Sequence, residues 1–318
     1  MKIPPKRRLF LLTVVLALLL SAQALAVESV RHYRDGGKNT VRVSETDAAN
    51  AIRRSEVIVL PALTGLGTAV TLDMPASVTA QNPVRVKFPV ARPGGSLVVV
   101  RVRPDGGTAI IRDCALSEDG VIFRVAGDQT VMLLDNSKSF RDKVPAWARD
   151  YVDFVTSREI FNGMGDGTFD PNGRMSRAMV VKALYELEGA PKEPEHNAFS
   201  DTAGKWYHDS VNWAYGVGVA KGENGSFNGS RDVTRQEFVT MLCRYAQVKG
   251  YPIDNAAPLN AFSDAYGIAK YARPAIQWAV ADGLIVGDEG RIEPKDSATR
   301  AEVAAVMTRF INRVIART

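Results

Sequence analysis

The sequence predicts an α+β, multidomain fold, in which a small antiparallel β-sandwich-like domain precedes an all-α part made of three repeats. Two observations predict it. Between about residues 40 and 137, short β-type segments alternate with turn signals. From residue 139 onward, one pattern of aromatic, glycine and arginine positions occurs three times, each time beside apolar residues at helical spacing.

The first 26 residues have the three parts of a secretory signal. Four basic residues precede a largely apolar run of twelve, Leu9 to Leu20, and small residues follow at 24–26. Twelve residues reach only about 18 Å as a helix, short of a bilayer core of roughly 30 Å. We therefore expect cleavage near Ala26, export, and no membrane segment after cleavage.

The net charge argues against a nucleic-acid partner. The signal segment supplies four of the five net positive charges, which leaves +1 for the rest of the chain. Residues 27–137 hold 13 basic and 12 acidic side chains, and residues 138–318 hold 23 of each. Neither part has the positive field that binding to a phosphate backbone requires.

Seven segments carry the β prediction for residues 27–137, and a short helix from Thr46 precedes them. Their spacing near ten residues and the turn signals between them favour a small antiparallel sandwich. The acidic residues fall mostly in turns, and nothing pairs them as an acid and a base. The segments are EVIVLPAL, AVTLDMPASV, PVRVKFPV, SLVVVRVR, TAIIRDCAL, GVIFRVAG and TVMLLD.

Cysteine and histidine usage predicts no metal site and no cofactor. The two cysteines, Cys114 and Cys243, fall in different predicted domains, so separate thiols are favoured over a disulfide. The three histidines are scattered along the chain.

Three repeats organise the rest of the chain, over residues 138–190, 197–248 and 260–318. Each opens on a Phe-x-Asp triplet, continues through an aromatic segment and a glycine loop, and closes on a Ser/Thr-Arg pair. The opening phenylalanine and closing arginine lie 37, 36 and 38 residues apart. An amphipathic run follows each arginine, so each unit is predicted as helix, glycine loop, helix. Because one helix pair cannot bury its own apolar stripe, the units should pack on one another.

The closing arginines are the first candidate site. Thr234 with Glu237, and Thr299 with Glu302, form capping boxes, which place Arg235 and Arg300 at the first position of a helix. A cation is disfavoured there by roughly 0.3–1 kcal/mol. One interpretation is that the arginine and the free helix-start amides face an anion. The alternative is a structural ion pair, with Asp142, Asp201 and Asp264 as obvious partners.

The first copy departs from the pattern, because Met179 replaces the capping glutamate after Arg177. Its loop also holds one extra residue. We therefore expect Arg235 and Arg300 to carry binding more strongly than Arg177. Among the tryptophans, helical spacing makes most of them core residues, and only Trp147 and Trp206, at equivalent positions near the loops, are kept as contact candidates.

Taken together, the Phe-x-Asp triplets, the paired aromatics, the glycine loops and the TRAE-like endings resemble the S-layer homology (SLH) domain family, over about residues 139–318. The resemblance implies a pseudo-threefold helix bundle with grooves between neighbouring repeats. It also implies non-covalent tethering of an exported bacterial protein to an anionic, often pyruvylated, secondary cell-wall polymer. The implied ligand residues are Arg177, Arg235, Arg300, Asp142, Asp201, Asp264, Gly163, Gly222 and Gly287.

We therefore expect a non-enzymatic protein of the bacterial cell wall or S-layer that displays its β domain and binds a peptidoglycan-linked glycan. Self-association into a lattice is left open. One alternative is an envelope-bound carbohydrate-active enzyme or carbohydrate-binding protein that uses the repeats only as a tether. Another is calcium-dependent repeats. The calcium interpretation is disfavoured because an EF-hand loop starting at Asn162 would need glutamate at its twelfth position, which is Gly173.

Overall fold

The computed structural model describes residues 30–35, 38–63, 65–196 and 198–318 of the chain. The predicted signal segment lies outside these residues. The described part contains both helices and two small mixed sheets, in line with the predicted α+β class. None of its helices is long and apolar enough to cross a membrane.

In the residues that the structure describes, ten strands form the two sheets of the N-terminal region. One sheet has the order β1-β2-β4-β10-β6-β7 and the other the order β3-β5-β9-β8. Buried residues of both sheets belong to one hydrophobic cluster that includes Leu72, Phe88, Phe123 and Leu133. The strands are Val30–Asp35 (β1), Lys38–Val43 (β2), Val57–Val59 (β3), Ala69–Asp73 (β4), Val84–Pro89 (β5), Leu97–Val102 (β6), Thr108–Ile110 (β7), Ala115–Ser117 (β8), Gly120–Val125 (β9) and Gln129–Asp135 (β10).

The sheets differ from the purely antiparallel prediction. Strand β2 pairs with β4 in parallel, and β3 pairs with β5 in parallel. Strands β1 and β2 were not among the predicted segments, and the predicted segment TAIIRDCAL divides into β7 and β8, which lie in different sheets. A helix from Glu45 to Arg54 (α1) and strand β3 lie between the parallel partners β2 and β4, and they give the chain the length it needs to return in the parallel direction.

Six α-helices, two in each repeat, form the described part of the C-terminal region. The first helix of each repeat packs against the second helix of the preceding repeat, and the first helix of repeat one packs against the last helix of repeat three. The repeats are therefore arranged in a closed cycle. The helices are Arg149–Ser157 (α2), Arg177–Leu187 (α3), His208–Gly216 (α4), Arg235–Val248 (α5), Arg273–Ala281 (α6) and Arg300–Arg313 (α7).

A ring of three backbone hydrogen bonds lies at the centre of this cycle. The N–H of Met175 donates to the carbonyl of Ala298, that of Ala298 to Val233, and that of Val233 to Met175, at 2.9 to 3.0 Å. These residues immediately precede the three capped helices. The ring therefore holds the three helix starts side by side.

A fully buried arginine, Arg158, joins the β region to the first repeat. Its guanidinium donates to the carbonyl oxygens of Cys114 (2.8 Å), Gly95 (3.0 Å) and Leu97 (3.1 Å). It also stacks on Phe154, with its central carbon 3.5 Å from the ring centroid. The two cysteines are free thiols, as the sequence favoured, and Cys114 is buried in the β region.

Candidate functional site: the helix starts and the grooves between repeats

Each of the three closing arginines is the first residue of its helix, as predicted. The capping boxes of Thr234 and Thr299 are both formed, with the hydroxyl accepting from the glutamate N–H and the glutamate accepting from the cap N–H. In the first copy, Ser176 alone caps the helix, by accepting from the N–H of Met179 at 3.2 Å. The missing half of the box weakens this start without displacing it.

The amides at these helix starts are not free to bind an anion. The N–H groups of Arg300 and Ala301 donate to the carbonyls of Gly173 and Pro171 in the loop of repeat one. The first two amides of the other capped helices donate in the same way, each to the loop of the following repeat. The third amide of each helix is held by the capping hydroxyl. The expected anion site made of helix-start amides is therefore wrong, because neighbouring carbonyls use those donors.

Arg177 and Arg300 are buried, with relative exposures of 9% and 5%. The Arg300 guanidinium donates to the carbonyls of Phe169 (2.6 Å) and Asn162 (2.8 Å) and lies over the Phe169 ring. Arg177 makes the equivalent bonds to repeat two. Burial lowers the pKa of both guanidinium groups. These contacts clamp one repeat to the next.

The Arg177 clamp consists of two hydrogen bonds and a ring contact. Its guanidinium donates to the carbonyls of Phe227 (3.2 Å) and Lys221 (2.9 Å), and its central carbon lies 4.9 Å from the Phe227 ring centroid. The first copy is therefore as well formed as the third. The prediction that Arg235 and Arg300 carry binding more strongly than Arg177 concerns the ligand and stays a prediction.

Arg235 is the exception. Its guanidinium pairs with the carboxylates of Glu302 (2.9 Å) and Glu293 (3.2 Å), and the side chain keeps 21% of its exposure. The loop of repeat three could offer the same carbonyls, but it also places Glu293 beside the arginine, where Asp170 and Asn228 stand in the other repeats. Two carboxylates outcompete neutral carbonyls for a guanidinium.

The three Phe-x-Asp aspartates do not pair with the arginines. Each carboxylate accepts two backbone N–H groups from the glycine loop of its own repeat, at 2.7 to 2.9 Å. Partial burial acts to raise the pKa of each carboxyl, but the backbone hydrogen bonds outweigh it, so each pKa lies below its ordinary value. The bonds join Asp142 to Phe169 and Asp170, Asp201 to Phe227 and Asn228, and Asp264 to Ile292 and Glu293.

The loop glycines Gly163, Gly222 and Gly287 lie against the phenylalanine that opens their own repeat. A Cβ on Gly222 would stand 2.1 Å from the Phe199 ring, and one on Gly287 would stand 2.6 Å from Phe262. The first copy matches in spite of its extra loop residue. Gly222 and Gly287 therefore shape their loops, because no larger residue fits beside the ring. A Cβ on Gly163 would be closest to the carbonyl of Thr168, at 2.9 Å.

Exposed aromatic side chains occupy one position in all three repeats. Trp147 and Trp206 keep 56% and 62% of their exposure, whereas Trp213 and Trp278 are buried. Sequence reasoning missed the third member, Tyr271, which is 55% exposed. Its place in YARPAIQWA, aligned with Trp147 and Trp206, was the signal that could have identified it.

Trp147 borders a groove of about 370 Å³ that involves all three repeats. Repeat two contributes Arg235, and repeat three contributes its loop and one face of α7. Apolar and charged side chains both line it, so it could hold a sugar ring. The remaining lining residues are Leu284, Ile285, Val286, Gly287, Asp288, Glu293, Glu302, Ala305, Val306 and Arg309.

The acidic residues of the β region are engaged in local contacts. Asp113 pairs with Arg124 at 3.1 Å, and Asp119 pairs with Lys87. Asp105 accepts the backbone N–H of Gly107 in its turn. In the described part of the chain, no group of three or more histidine, cysteine or acidic side chains is arranged to hold a metal.

Similar proteins include S-layer proteins and extracellular enzymes. S-layer protein sap of Bacillus anthracis is 26% identical over 52% of this chain, which spans 20% of that protein. Exoglucanase XynX of Acetivibrio thermocellus is 29% identical over 55% of the chain and 16% of its own length. Amylopullulanase of Thermoanaerobacterium thermosulfurigenes is 27% identical over 86% of the chain, so the similarity extends beyond the repeats, but over only 14% of its own length. The chain thus spans a small part of each relative.

A family model of the S-layer homology domain matches residues 139–178, 198–239 and 261–304. Each match runs from a Phe-x-Asp triplet to the first turn or two of a capped helix, which is the unit that repeats in the structure. The C-terminal part of this chain therefore belongs to the S-layer homology domain family, with three tandem copies.

Proposed function

We propose that the protein is held non-covalently at the bacterial cell surface by its three S-layer homology repeats, which bind an anionic, pyruvylated secondary cell-wall polymer. Family membership and the similarity to S-layer proteins indicate a secreted protein of the cell wall or S-layer. The observation that carries the polymer proposal is the set of exposed aromatics at one position of every repeat, with Trp147 bordering a groove between repeats. Aromatic faces stack on sugar rings, and the arginines near Tyr271 suit a carboxylate.

The β region is proposed to be displayed and to have no catalytic role. In the described part of the β region, four acids are held in ion pairs and Asp105 in a turn, and none of these contacts forms an acid and base couple. Arg158 fastens the region to the first repeat, so it would be presented as part of the anchored body. The proposal does not require self-association into a lattice. A lattice would follow only if anchoring to the same wall brought many copies of the protein together.

Sedimentation with purified wall sacculi tests the proposal. The protein is produced without residues 1–26, and the triple variant Trp147→Ala, Trp206→Ala, Tyr271→Ala is compared with Leu66→Ala, which removes an exposed apolar side chain from the β region. We expect the triple variant to stay in the supernatant and the Leu66 variant to sediment like the parent. Circular dichroism checks that both are folded. Equal sedimentation of all three proteins would overturn the proposal.

A second experiment tests whether the pyruvyl groups of the polymer contribute to binding. Sacculi treated with mild acid to remove pyruvyl groups should retain less of the parent protein than intact sacculi do. Equal retention would remove the pyruvylated ligand from the proposal while leaving anchoring to the wall intact.

A further inference from the structure

We propose that the three grooves are not equivalent, and that Arg231 and Arg244 make the groove beside Tyr271 the one that selects the anionic group of the polymer. This inference rests on the proposed function. It follows from comparing the charges that the threefold arrangement places at equivalent positions.

Each groove is named here after its exposed aromatic. The Trp147 groove combines Arg235, the loop at 284–288 and the face of α7 with Glu302 and Arg309. The cyclic order of the repeats places Arg300, the loop at 160–164 and the face of α3 at the equivalent position beside Trp206, which we call the Trp206 groove. It likewise places Arg177, the loop at 219–223 and the face of α5 beside Tyr271, which we call the Tyr271 groove. The contacts of Arg300 and Arg177 with these two loops follow this cyclic order.

The Trp147 groove has its main cation neutralised. Arg235 is paired with both Glu293 and Glu302, and Asp288 adds a third acid. Arg309 is engaged with the carbonyl of Leu284 at 3.1 Å. With three acids and two cations, this groove suits an uncharged sugar better than a carboxylate.

The Trp206 groove is close to neutral. Arg300 is buried in its clamp, and Lys182 pairs with Glu186 at 2.6 Å. Met179 takes the place that Glu302 has in the Trp147 groove. Both cations, Arg300 and Lys182, therefore already contact a carbonyl oxygen or a carboxylate.

The Tyr271 groove has the opposite balance. Glu237 accepts a hydrogen bond from Arg231 at 2.6 Å and lies 3.9 Å from a terminal nitrogen of Arg177. It also accepts from the backbone N–H and hydroxyl of its capping threonine, so its oxygens are fully engaged. Arg244 makes no hydrogen bond or ion pair with any residue that the structure describes.

Geometry places Arg244 and Tyr271 at this groove. Arg244 follows Glu237 by seven residues, which puts both side chains on one face of α5, two turns apart. The N–H of Ala269 donates to the side chain of Gln236 at 2.9 Å and so ties the segment before Tyr271 to the start of α5.

The charged groups that influence the pKa of Tyr271 agree with this placement. Burial and Glu237 raise its pKa, and three arginines that act in the opposite direction, Arg231, Arg244 and Arg177, lie near enough to affect it. The loop at 219–223 adds Lys221 and also Glu223, which takes the place of Asp288 and lies near Arg231. The groove therefore holds four cations and two acids, and Arg244 has no acidic partner among the described residues. A carboxylate on a sugar would supply that partner through a charge-assisted hydrogen bond.

The test measures polymer affinity by titration calorimetry for the protein without residues 1–26 and for Arg244→Gln, using soluble wall polymer with and without its pyruvyl groups. We expect Arg244→Gln to lose about tenfold in affinity for the pyruvylated polymer and little for the depyruvylated one, because one charged hydrogen bond is lost. Arg92→Gln, which removes an exposed cation from the β region, is the matched control and should change neither affinity by more than about twofold.

The outcomes separate this inference from the function it rests on. If Arg244→Gln keeps both affinities while the triple aromatic variant loses them, the anchoring function holds and the selective role of this groove is overturned. If the triple aromatic variant also keeps both affinities, the proposed function itself fails. A thermal unfolding curve for Arg244→Gln that matches the parent shows that any loss of affinity is not a loss of fold.

Discussion

Two kinds of junction join the repeats of this protein. At the junctions of Arg177 and Arg300, a buried guanidinium donates to loop carbonyls of the next repeat and lies over an aromatic ring. At the junction of Arg235, a more exposed guanidinium pairs with two glutamates instead. The same residue, at the same position of its helix start, donates hydrogen bonds to loop carbonyls at two junctions and to carboxylates at the third. At the Arg177 junction a carboxylate, that of Glu237, lies 3.9 Å away, beyond hydrogen-bond distance.

The difference teaches that an arginine at a helix start can be retained for packing between repeats. The cost of placing a cation at the positive end of the helix dipole is offset at all three junctions, but by carbonyl dipoles at two of them and by carboxylates at the third. On the proposed function, ligand selectivity would then depend on the side chains around the arginine. Repeats that look alike in their motifs can therefore line grooves of different charge.

The two kinds of junction should differ most in the free energy of unfolding that is lost when the arginine is removed. Arg300→Met should lower the free energy of unfolding by about 2–4 kcal/mol, because it removes two hydrogen bonds from a charged donor and leaves the buried carbonyl of Phe169 without a donor. Arg235→Met should cost at most about 1 kcal/mol, because its ion pairs are partly exposed. Urea unfolding followed by circular dichroism measures both.

Arg177→Met is the matched control, since its buried guanidinium makes the same bonds as that of Arg300. It should resemble Arg300→Met and not Arg235→Met. Equal losses for Arg235→Met and Arg300→Met would show that the comparison between junctions has no energetic meaning.

Much of each repeat could be predicted from the sequence, because its signals are local. The capped helix starts follow from Thr234 with Glu237 and Thr299 with Glu302, and the loop glycines follow from the constant register. The partners of the arginines could not be predicted. The acceptors of Arg300 lie 131 and 138 residues away and are backbone carbonyls, which have no sequence signature.

The role of the aspartates shows a missed signal. Asp142, Asp201 and Asp264 precede the loop residue that donates to them by 27, 26 and 28 residues. This near-constant spacing pointed to a contact within each repeat, and not to the arginine of another. The parallel strand pairs of the β region had no comparable signal, since strand order depends on contacts distant in sequence.

The aspartate contacts are common to all three repeats, and so their loss should weaken both kinds of junction alike. The triple variant Asp142→Asn, Asp201→Asn, Asp264→Asn should be less stable by about 1–2 kcal/mol for each site at neutral pH, because an amide can accept only one of the two N–H groups. Since the folded pKa values lie below the ordinary value, the aspartates stabilise the fold above about pH 4. That stability is lost as the pH falls through the folded values.

Unfolding curves measured between pH 7 and pH 2 check this prediction. The parent should lose stability over the acidic end of the range, and the triple variant should show a shallower loss. Parallel curves would mean that other carboxyls are responsible for the acid sensitivity.

Removing the capping hydroxyls should give smaller differences in stability between repeats than removing the arginines. Thr299→Ala should cost about 1 kcal/mol, because the hydroxyl that holds the Glu302 N–H at 3.3 Å is lost and the reciprocal bond is weakened. Ser176→Ala should cost less, because its box lacks the glutamate. The change in urea midpoint ranks the two variants, and a larger loss at Ser176 would contradict the ranking.

The smallest expected change in stability comes from removing one of the two ion pairs of Arg235, the one with Glu293. Glu293 has a positive φ of 56°, as do its counterparts Asp170 (56°) and Asn228 (57°), so Glu293→Asn introduces a residue that tolerates this conformation better. The loss of one partly exposed ion pair costs less than about 0.5 kcal/mol, which the relief of strain should offset. Glu289→Asn is the control, since Glu289 also has a positive φ, of 45°, but is not among the partners of Arg235.

Thermal unfolding should place both variants close to the parent. Only Glu293→Asn should strengthen binding to the pyruvylated polymer, by about twofold, because the Trp147 groove then loses one of its three acids. If Glu293→Asn instead unfolds several degrees below the Glu289 variant, the Arg235 pair is a structural clamp like those of Arg177 and Arg300, and the junctions differ only in the chemistry of their acceptors.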